Sequence, residues 1–256
     1  MANNFSGDSD CVALWRFESG ALGEDSIGGN DLTSATSGTA ASDCKEGSHS
    51  LELNASYNQA YYRNEKDLDA GFPLKDGDTT KLMSICGWFK LDRNDVTQVV
   101  VAKFDYMNDK QSVRLYFNGF DGKLKFQWGY GNWNSVTYEL LSSISTDTWY
   151  HFGIVIDGVG KTFFARVWDD DAESYTDTSE TPGTEIGAVE SPFTVGCYMA
   201  GSTPAAQWDG HIDELVVFKR ELDADEIDEI RQGTFGGGGG GGGGGSSARS
   251  VACIVG

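Results

Sequence analysis

Carboxylates dominate the side chains that could do chemistry, and the adjacent pair Asp213 and Glu214 stands out because it lies within an apolar stretch. A retaining glycosidase needs two carboxyl groups about 5–5.5 Å apart. We predict that a Trp-Asp-Gly turn at residues 208–210 leads into a buried strand that ends at Phe218, in which neighbouring side chains turn to opposite faces. A second acidic segment, residues 226–229, lies in a predicted helix, where residues i and i+2 point apart. The sequence therefore predicts no catalytic carboxylate pair.

Other residue types that carry catalysis or bind metals are scattered. The three histidines (His49, His151 and His211) show no spacing typical of a metal site, and no Gly-x-Ser-x-Gly nucleophile motif is present. The five cysteines include no C-x-x-C pair. Cys11 and Cys44 flank the first loop and could form a disulfide, although the lack of a visible secretion signal favours free thiols. We therefore expect a protein that is not an enzyme.

One dense group of ring and amide side chains predicts a carbohydrate-binding segment. Its candidates are Trp128, Tyr130, Asn132 and Trp133. Flat rings beside a few polar groups suit the faces of sugars. A similar segment upstream contributes Tyr61. In the alternative interpretation Trp128 belongs to the core, and the glycine-rich turn merely exposes Trp133.

The net charge of -20 restricts the partners. Such a chain has no basic face to release counterions from phosphates, which argues against nucleic acid. It also disfavours anionic membranes. No apolar run approaches the ~18 residues of a membrane span, so we expect no membrane insertion. The first six residues carry no leader typical of a secretion signal. An acidic surface fits solubility or calcium binding instead.

Short apolar runs separated by turns predict the elements that position these residues. Residues 113–117 and 123–128 are two strands joined by a glycine-bearing hairpin loop. The single helical signal spans residues 222–231, where Asp223 and Glu226 have the spacing of a capping box. Many short strands with regular turns and one short C-terminal helix predict an all-β antiparallel sandwich.

Five landmarks follow one another along the chain: residues 25–32 (DSIGGNDL), 82–91 (with Trp88), 148–158 (TWYHFGIVIDG), 193–196 (FTVG), and 210–218 leading into the helix. In this order they resemble the laminin-G-like (concanavalin A-like) jelly-roll family over about residues 10–233. The resemblance implies a jelly-roll β-sandwich. It also implies a calcium site, since several such domains use the loop after the first strand together with an aspartate of the closing strand. The positions would be Asp25, Asn30 and Asp213. In the alternative, Asp25 and Asn30 cap a turn and Asp213 accepts bonds from backbone amides.

After Phe235 the sequence changes to ten consecutive glycines (236–245), a Ser-rich stretch to residue 250, and a short apolar end. A polyglycine run cannot pack a core and predicts a flexible linker. The apolar end could add as a strand to a partner's sheet edge, through Val251, Ala252, Cys253, Ile254 and Val255. The alternative is an unstructured tail with an incidental apolar tip.

These features predict three parts: a jelly-roll domain (1–235), a linker (236–250) and a terminal anchor (251–256). The predicted function is a non-enzymatic binding or decoration module that recognises glycans, with calcium as a candidate cofactor. Its tail would dock into a larger assembly, such as a capsid, tail or filament, at a virion surface or in another extracellular assembly. The alternatives are a carbohydrate-binding module of a polysaccharide-degrading system and a self-assembling filament subunit.

Overall fold

The computed structural model describes residues 3–131 and 133–236, which form seventeen strands and one α-helix. The strands are Cys11–Trp15 (β1), Thr33–Thr36 (β2), Thr39–Ala41 (β3), Ser50–Leu53 (β4), Ala60–Arg63 (β5), Leu82–Leu91 (β6), Gln98–Asp105 (β7), Lys110–Asn118 (β8), Lys123–Gly131 (β9), Asn134–Leu141 (β10), Trp149–Asp157 (β11), Thr162–Asp169 (β12), Ser174–Glu180 (β13), Phe193–Val195 (β14), Tyr198–Ala200 (β15), Thr203–Ala205 (β16) and Gly210–Phe218 (β17). The helix is Ala224–Arg231 (α1).

The strands form two sheets that pack face to face. The eight-stranded sheet has the order β13-β12-β11-β6-β17-β4-β3, and β1 pairs with β17. The nine-stranded sheet has the order β10-β9-β8-β7-β14-β5-β2, with the hairpin β15–β16 attached beside β7. Chain neighbours are often not sheet neighbours, since β17 lies between β6 and β4. The predicted antiparallel jelly-roll sandwich is confirmed.

The core lies between the sheets and follows from strand alternation. On β11, Tyr150, Phe152, Ile154 and Ile156 point inward and are buried in one continuous cluster, while Val155 faces the other side of the sheet. Fully burying one such side chain stabilises the fold by about 1.5–3 kcal/mol. Other long strands such as β8 repeat this pattern, whereas strands such as β13 and β2 are largely exposed.

A bulge interrupts β17 at its acidic pair. The register with β6 shifts between Asp213 and Val216, and Glu214 has φ 47°, in the left-handed region. Burial raises the pKa of both carboxyl groups, and the charge of Glu46 acts on both in the same direction. The prediction that strand alternation sends Asp213 and Glu214 to opposite faces is wrong, because the bulge breaks the alternation there.

Helix α1 covers the outer face of the eight-stranded sheet. It begins with the predicted capping box, in which Glu226 N donates to Asp223 Oδ1 (2.8 Å) and Asp223 N donates to Glu226 Oε2 (2.9 Å). Ile227 and Ile230 are buried against the sheet. The helix approaches closely because β11 carries a glycine there: a Cβ added at Gly153 would lie 2.6 Å from Ile227 Cγ2.

Both ends of the described chain meet on this same outer face. Asn4 N donates to Phe235 O (2.9 Å), and Phe235 N donates to Asn3 Oδ1 (3.0 Å). Phe5 packs against Phe235 and Phe218, with ring centroids 5.2 and 5.9 Å apart. The first residues therefore close the domain beside α1.

The predicted linker and anchor lie outside the described residues, apart from Gly236. Cys11, Cys44, Cys86 and Cys197 are free thiols, so the first two are not bridged. Within residues 3–131 and 133–236, no helix has the length and apolar character needed to span a bilayer.

Candidate functional site

The outer face of the nine-stranded sheet carries a cationic and aromatic cluster. On β8, Val113, Leu115 and Phe117 point into the core, so the alternate residues Arg114 and Tyr116 point outward. The same alternation on the neighbouring strands determines which side chains surround Arg114 and Tyr116. This face lies on the opposite side of the sandwich from α1, because α1 packs on the eight-stranded sheet.

Three aromatic rings surround the Arg114 guanidinium. Its Cζ lies 4.3 Å from the ring centroid of Tyr116, 4.9 Å from that of Phe104 and 5.4 Å from that of Tyr198. All three distances are within the ~6 Å range of cation–π attraction. Burial lowers the pKa of Arg114 below its usual value, but a guanidinium keeps its charge in proteins.

An exposed aromatic ridge continues from this cluster. Tyr106 packs edge-on against Tyr198 (ring centroids 6.4 Å apart) and against Trp133 (5.3 Å). Tyr106 is 52% exposed and Trp133 is 54% exposed, so both rings are open to a ligand. We name the whole set the Arg114 face; it comprises Phe104, Tyr106, Arg114, Tyr116, Trp133 and Tyr198.

Turns that meet at one end of the sheet hold the ridge in place. Asp105 Oδ1 accepts a hydrogen bond from Gly201 N (2.9 Å), and its Oδ2 accepts one from Asn108 Nδ2 (2.7 Å). Asp109 accepts a hydrogen bond from Trp133 N. These carboxylates tie the β7–β8 turn to the β15–β16 hairpin and to the β9–β10 turn, so the rings on the three turns are set close together.

Polar atoms on the Arg114 face are left without partners. Arg16, Arg166 and Arg220 each lie 2.7–2.8 Å from a carboxylate oxygen. Within the described part of the chain Arg114 forms no such ion pair, and its Nε has no hydrogen-bond partner. Gln127, directly opposite Arg114 on β9, donates through Nε2 to a serine, but its Oε1 has no partner either. A buried donor and a buried acceptor thus lie side by side.

The structure separates the predicted carbohydrate-binding residues. Trp128 (0% exposed) and Tyr61 (4%) lie in the core between the sheets, and Tyr130 packs against the same core. Trp128 Nε1 also donates to a backbone carbonyl (3.0 Å), which holds the ring inside. Trp128 and Tyr61 are therefore corrected to structural positions, because inward-facing alternation buries their rings, whereas Tyr130 is only partly buried. Trp133 is the most exposed of the predicted residues that the structure describes, and Asn132 lies outside the described residues.

The predicted calcium residues Asp25 and Asn30 form a hydrogen-bonded turn. Asp25 Oδ1 accepts from Leu14 N (3.0 Å) and Ile27 N (3.0 Å), and its Oδ2 accepts from Asn30 N (3.0 Å) and Asn30 Nδ2 (3.4 Å). The Asn30 side-chain oxygen accepts from Asp69 N (2.9 Å). Four N–H donors therefore occupy the lone pairs that a calcium ion would need.

Asp213 is engaged elsewhere, with no partner in common with Asp25. Its Oδ2 accepts from Lys45 N (2.7 Å) and Glu46 N (3.2 Å), and its Oδ1 accepts from Glu214 N (3.0 Å). Across residues 3–131 and 133–236, no group of three or more His, Cys, Asp or Glu side chains could hold a metal ion. The predicted residues do not fit calcium as arranged, and the alternative of turn capping and amide binding fits the contacts. Calcium binding stays a prediction.

Burial perturbs the acidic pair of β17. It raises the pKa of Asp213 from 3.8 to about 7 and that of Glu214 from 4.5 to about 8, against the opposing effects of backbone N–H donors and Arg16. Arg16 Nη1 lies 2.8 Å from Glu214 Oε2. Since both carboxyl groups are buried and hydrogen-bonded, they are not presented to a substrate.

Sequence reasoning missed Arg114, Tyr106, Tyr116 and Tyr198. The alternation of residues 113–117 could have placed Arg114 and Tyr116 together on the outer face, opposite three apolar residues. Tyr106 and Tyr198 carry no such local signal, because a turn and a hairpin distant in sequence bring them to the same place.

Comparisons with known proteins agree with this architecture. The family model described as the concanavalin A-like lectin/glucanases superfamily matches residues 66–228, more than half of the chain. A search of curated proteins by sequence finds no significant match.

Solved structures resemble the chain in fold at low identity. Domain 4 of AbnA, a GH43 extracellular arabinanase from Geobacillus stearothermophilus, in complex with arabinotriose, is 17% identical with a TM-score of 0.58, covering 87% of this chain and 98% of that one. The binding domain of Botulinum neurotoxin DC in complex with SialylT is 11% identical with a TM-score of 0.59, covering 88% of this chain and 52% of that one. The CBM40 of the Ruminococcus gnavus IT-sialidase is 13% identical with a TM-score of 0.51, covering 72% and 96%. The chain belongs to the concanavalin A-like lectin/glucanase superfamily.

Proposed function

We propose that this domain is a non-enzymatic glycan-binding module whose binding site is the Arg114 face. The observation that carries the proposal is the exposed aromatic ridge of Tyr106 and Trp133 beside the partly buried Arg114. Sugar rings have apolar faces that stack on aromatic side chains and hydroxyl rims that need hydrogen bonds. The Arg114 face offers both within a single surface, on turns that are already fixed in place.

Similar folds support the same class of function. The arabinanase domain is described in complex with arabinotriose and the toxin domain in complex with SialylT, so this sandwich serves for saccharide binding in other proteins. The acidic pair that could suggest hydrolysis is buried and bonded to backbone amides and Arg16. These observations favour binding without catalysis.

A glycan array followed by titration of the best ligand tests the proposal. Trp133→Ala should weaken binding about tenfold, since central aromatic residues of interfaces each contribute on the order of 1–2 kcal/mol or more. Phe120→Ala is the matched control, because Phe120 is 95% exposed in the turn at the other end of β8 and should have no effect. Equal loss in the two variants, or no signal from wild-type protein on any glycan, would refute the proposal.

We also propose that the module is displayed on a larger assembly, such as a virion surface, through residues 236–256. This rests on the polyglycine run and the apolar terminal peptide of the sequence. Truncation after Phe235 should leave the melting temperature unchanged and abolish incorporation into the native assembly. Normal incorporation of the truncated chain would rule out the anchor.

A further inference from the structure

Arg114 is a cation for which the described chain provides a binding environment but no counter-ion. Its guanidinium is packed among Phe104, Tyr116 and Tyr198, which exclude water from its faces. The polar groups that interact with it are the phenols of Tyr116, Tyr198 and Tyr106, which are neutral at physiological pH and so are not counter-ions. A partly buried charge without a partner is costly, and buried charges are normally paired.

We infer that the glycan bound at the Arg114 face carries a carboxylate, as a uronate or sialate sugar does, and that Arg114 binds this carboxylate. The inference rests on the proposed glycan-binding function and adds the chemical class of the ligand. A guanidinium presents parallel N–H donors that match the two oxygens of a carboxylate. The ligand would supply the counter-ion that the protein lacks.

The neighbouring acidic residues do not compete for Arg114. Asp105 accepts N–H bonds at both oxygens and Asp109 accepts one at Oδ1, so these carboxylates hold the turns of the ridge. The net charge of -20 repels an anionic glycan at long range. At about 0.15 M salt such repulsion is screened beyond ~8 Å, whereas a contact in a partly buried site is screened much less.

Calorimetric titration of two matched ligand pairs at physiological salt tests the inference. One pair is tri-galacturonate and its methyl ester, which keeps the size and removes the charge; the other is sialyllactose and lactose. Wild-type protein should bind the acid of at least one pair at least about tenfold more tightly than its neutral counterpart, and the pair that responds distinguishes uronate from sialate. Arg114→Gln should reduce affinity for that acid by about 10- to 100-fold, down to that of the neutral ligand.

Two further variants complete the experiment. Arg114→Lys should retain the charge and only part of the preference for the acid, because an ammonium lacks the parallel N–H pair. Arg93→Gln removes the same charge at an exposed position paired with Asp95, and should leave binding unchanged. If Arg114→Gln does not fold, the wild-type ligand pairs and Arg114→Lys still decide the question.

The outcomes separate this inference from the proposed function. Equal affinity for acid and neutral ligands, an acid preference that survives in Arg114→Gln, or binding of neutral glycans alone would overturn the inference and leave glycan binding intact. Absence of binding to any glycan on the array would overturn both.

Discussion

Substitution of Asp25 by asparagine distinguishes a hydrogen-bonded turn from a calcium site. In the wild-type protein the two carboxylate oxygens accept bonds from three backbone amides, those of Leu14, Ile27 and Asn30, each at 3.0 Å. Asparagine replaces one carboxylate oxygen with an NH₂ group, which is a donor, so at least one of these backbone N–H groups loses its acceptor. Leaving a buried donor unsatisfied costs about 1–3 kcal/mol. Loss of the charge weakens the remaining bonds by about 1 kcal/mol more, since charge-assisted hydrogen bonds are roughly twice as strong as neutral ones.

We therefore expect Asp25→Asn to lower the free energy of unfolding by about 2–4 kcal/mol. Urea unfolding followed by tryptophan fluorescence measures this, once with millimolar calcium and once with a chelator. The loss should be the same in both conditions, because the stabilisation comes from N–H donors. Glu24→Gln is the control: it removes a charge from the exposed neighbouring residue and should change stability by less than about 0.5 kcal/mol.

Two results would contradict this reasoning. A loss below about 0.5 kcal/mol would show that the carboxylate is not needed for the turn. Alternatively, calcium could raise the stability of the wild-type protein but not that of Asp25→Asn, which would mean that the ion binds the native state through Asp25. The second result would restore the calcium site expected from the family resemblance.

Two further predictions concern the outer face of the eight-stranded sheet. Gly153→Ala should destabilise the domain by about 1–3 kcal/mol, because the new Cβ meets Ile227. Urea unfolding of the two single variants and the double variant tests this: when Ile227→Ala is also present, most of the loss caused by Gly153→Ala should disappear. Strictly additive losses in free energy of unfolding would refute the contact. For the acidic pair, raised pKa values of about 7 for Asp213 and about 8 for Glu214 mean that the folded state keeps protons that the unfolded chain releases. Their contribution to stability is thus fully present below about pH 4 and is lost as pH rises towards 8. Unfolding free energies between pH 5 and 8 should therefore fall less steeply in Glu214→Gln than in the wild type, and identical slopes would count against a buried, protonated Glu214.

The sequence predicted those parts of the fold that depend on local patterns. The strand at residues 148–158, the hairpin of β8 and β9 and the capping box of α1 all follow from alternation, turn residues or cap spacing over a few positions. Polar edge strands such as β10 and β13 were missed, since half-exposed polar alternation resembles a loop in sequence. The bulge at Glu214 was missed because a positive φ at glutamate has no sequence signature.

Long-range packing explains why the candidate site was predicted only in part. The aromatic density of residues 128–134 drew attention to Trp133, whose ring is exposed, but it could not show that Trp128 points inward. In the ridge, Asp105 ties its own turn to Gly201, almost a hundred residues away along the chain. The sequence of any one turn therefore does not predict a site that is assembled from three turns.

The closure of Asn3 and Asn4 onto Phe235 has a consequence for multivalency. The two ends leave the domain beside α1, on the side of the sandwich opposite the Arg114 face. Copies attached through either end to one support would therefore keep that face uncovered and free to meet a ligand. Weak single-site contacts then add up on a repetitive ligand, because each further binding event is intramolecular and overall avidity can exceed single-site affinity by about 10²–10⁴. A modest affinity of the isolated domain would be compatible with firm attachment of an array.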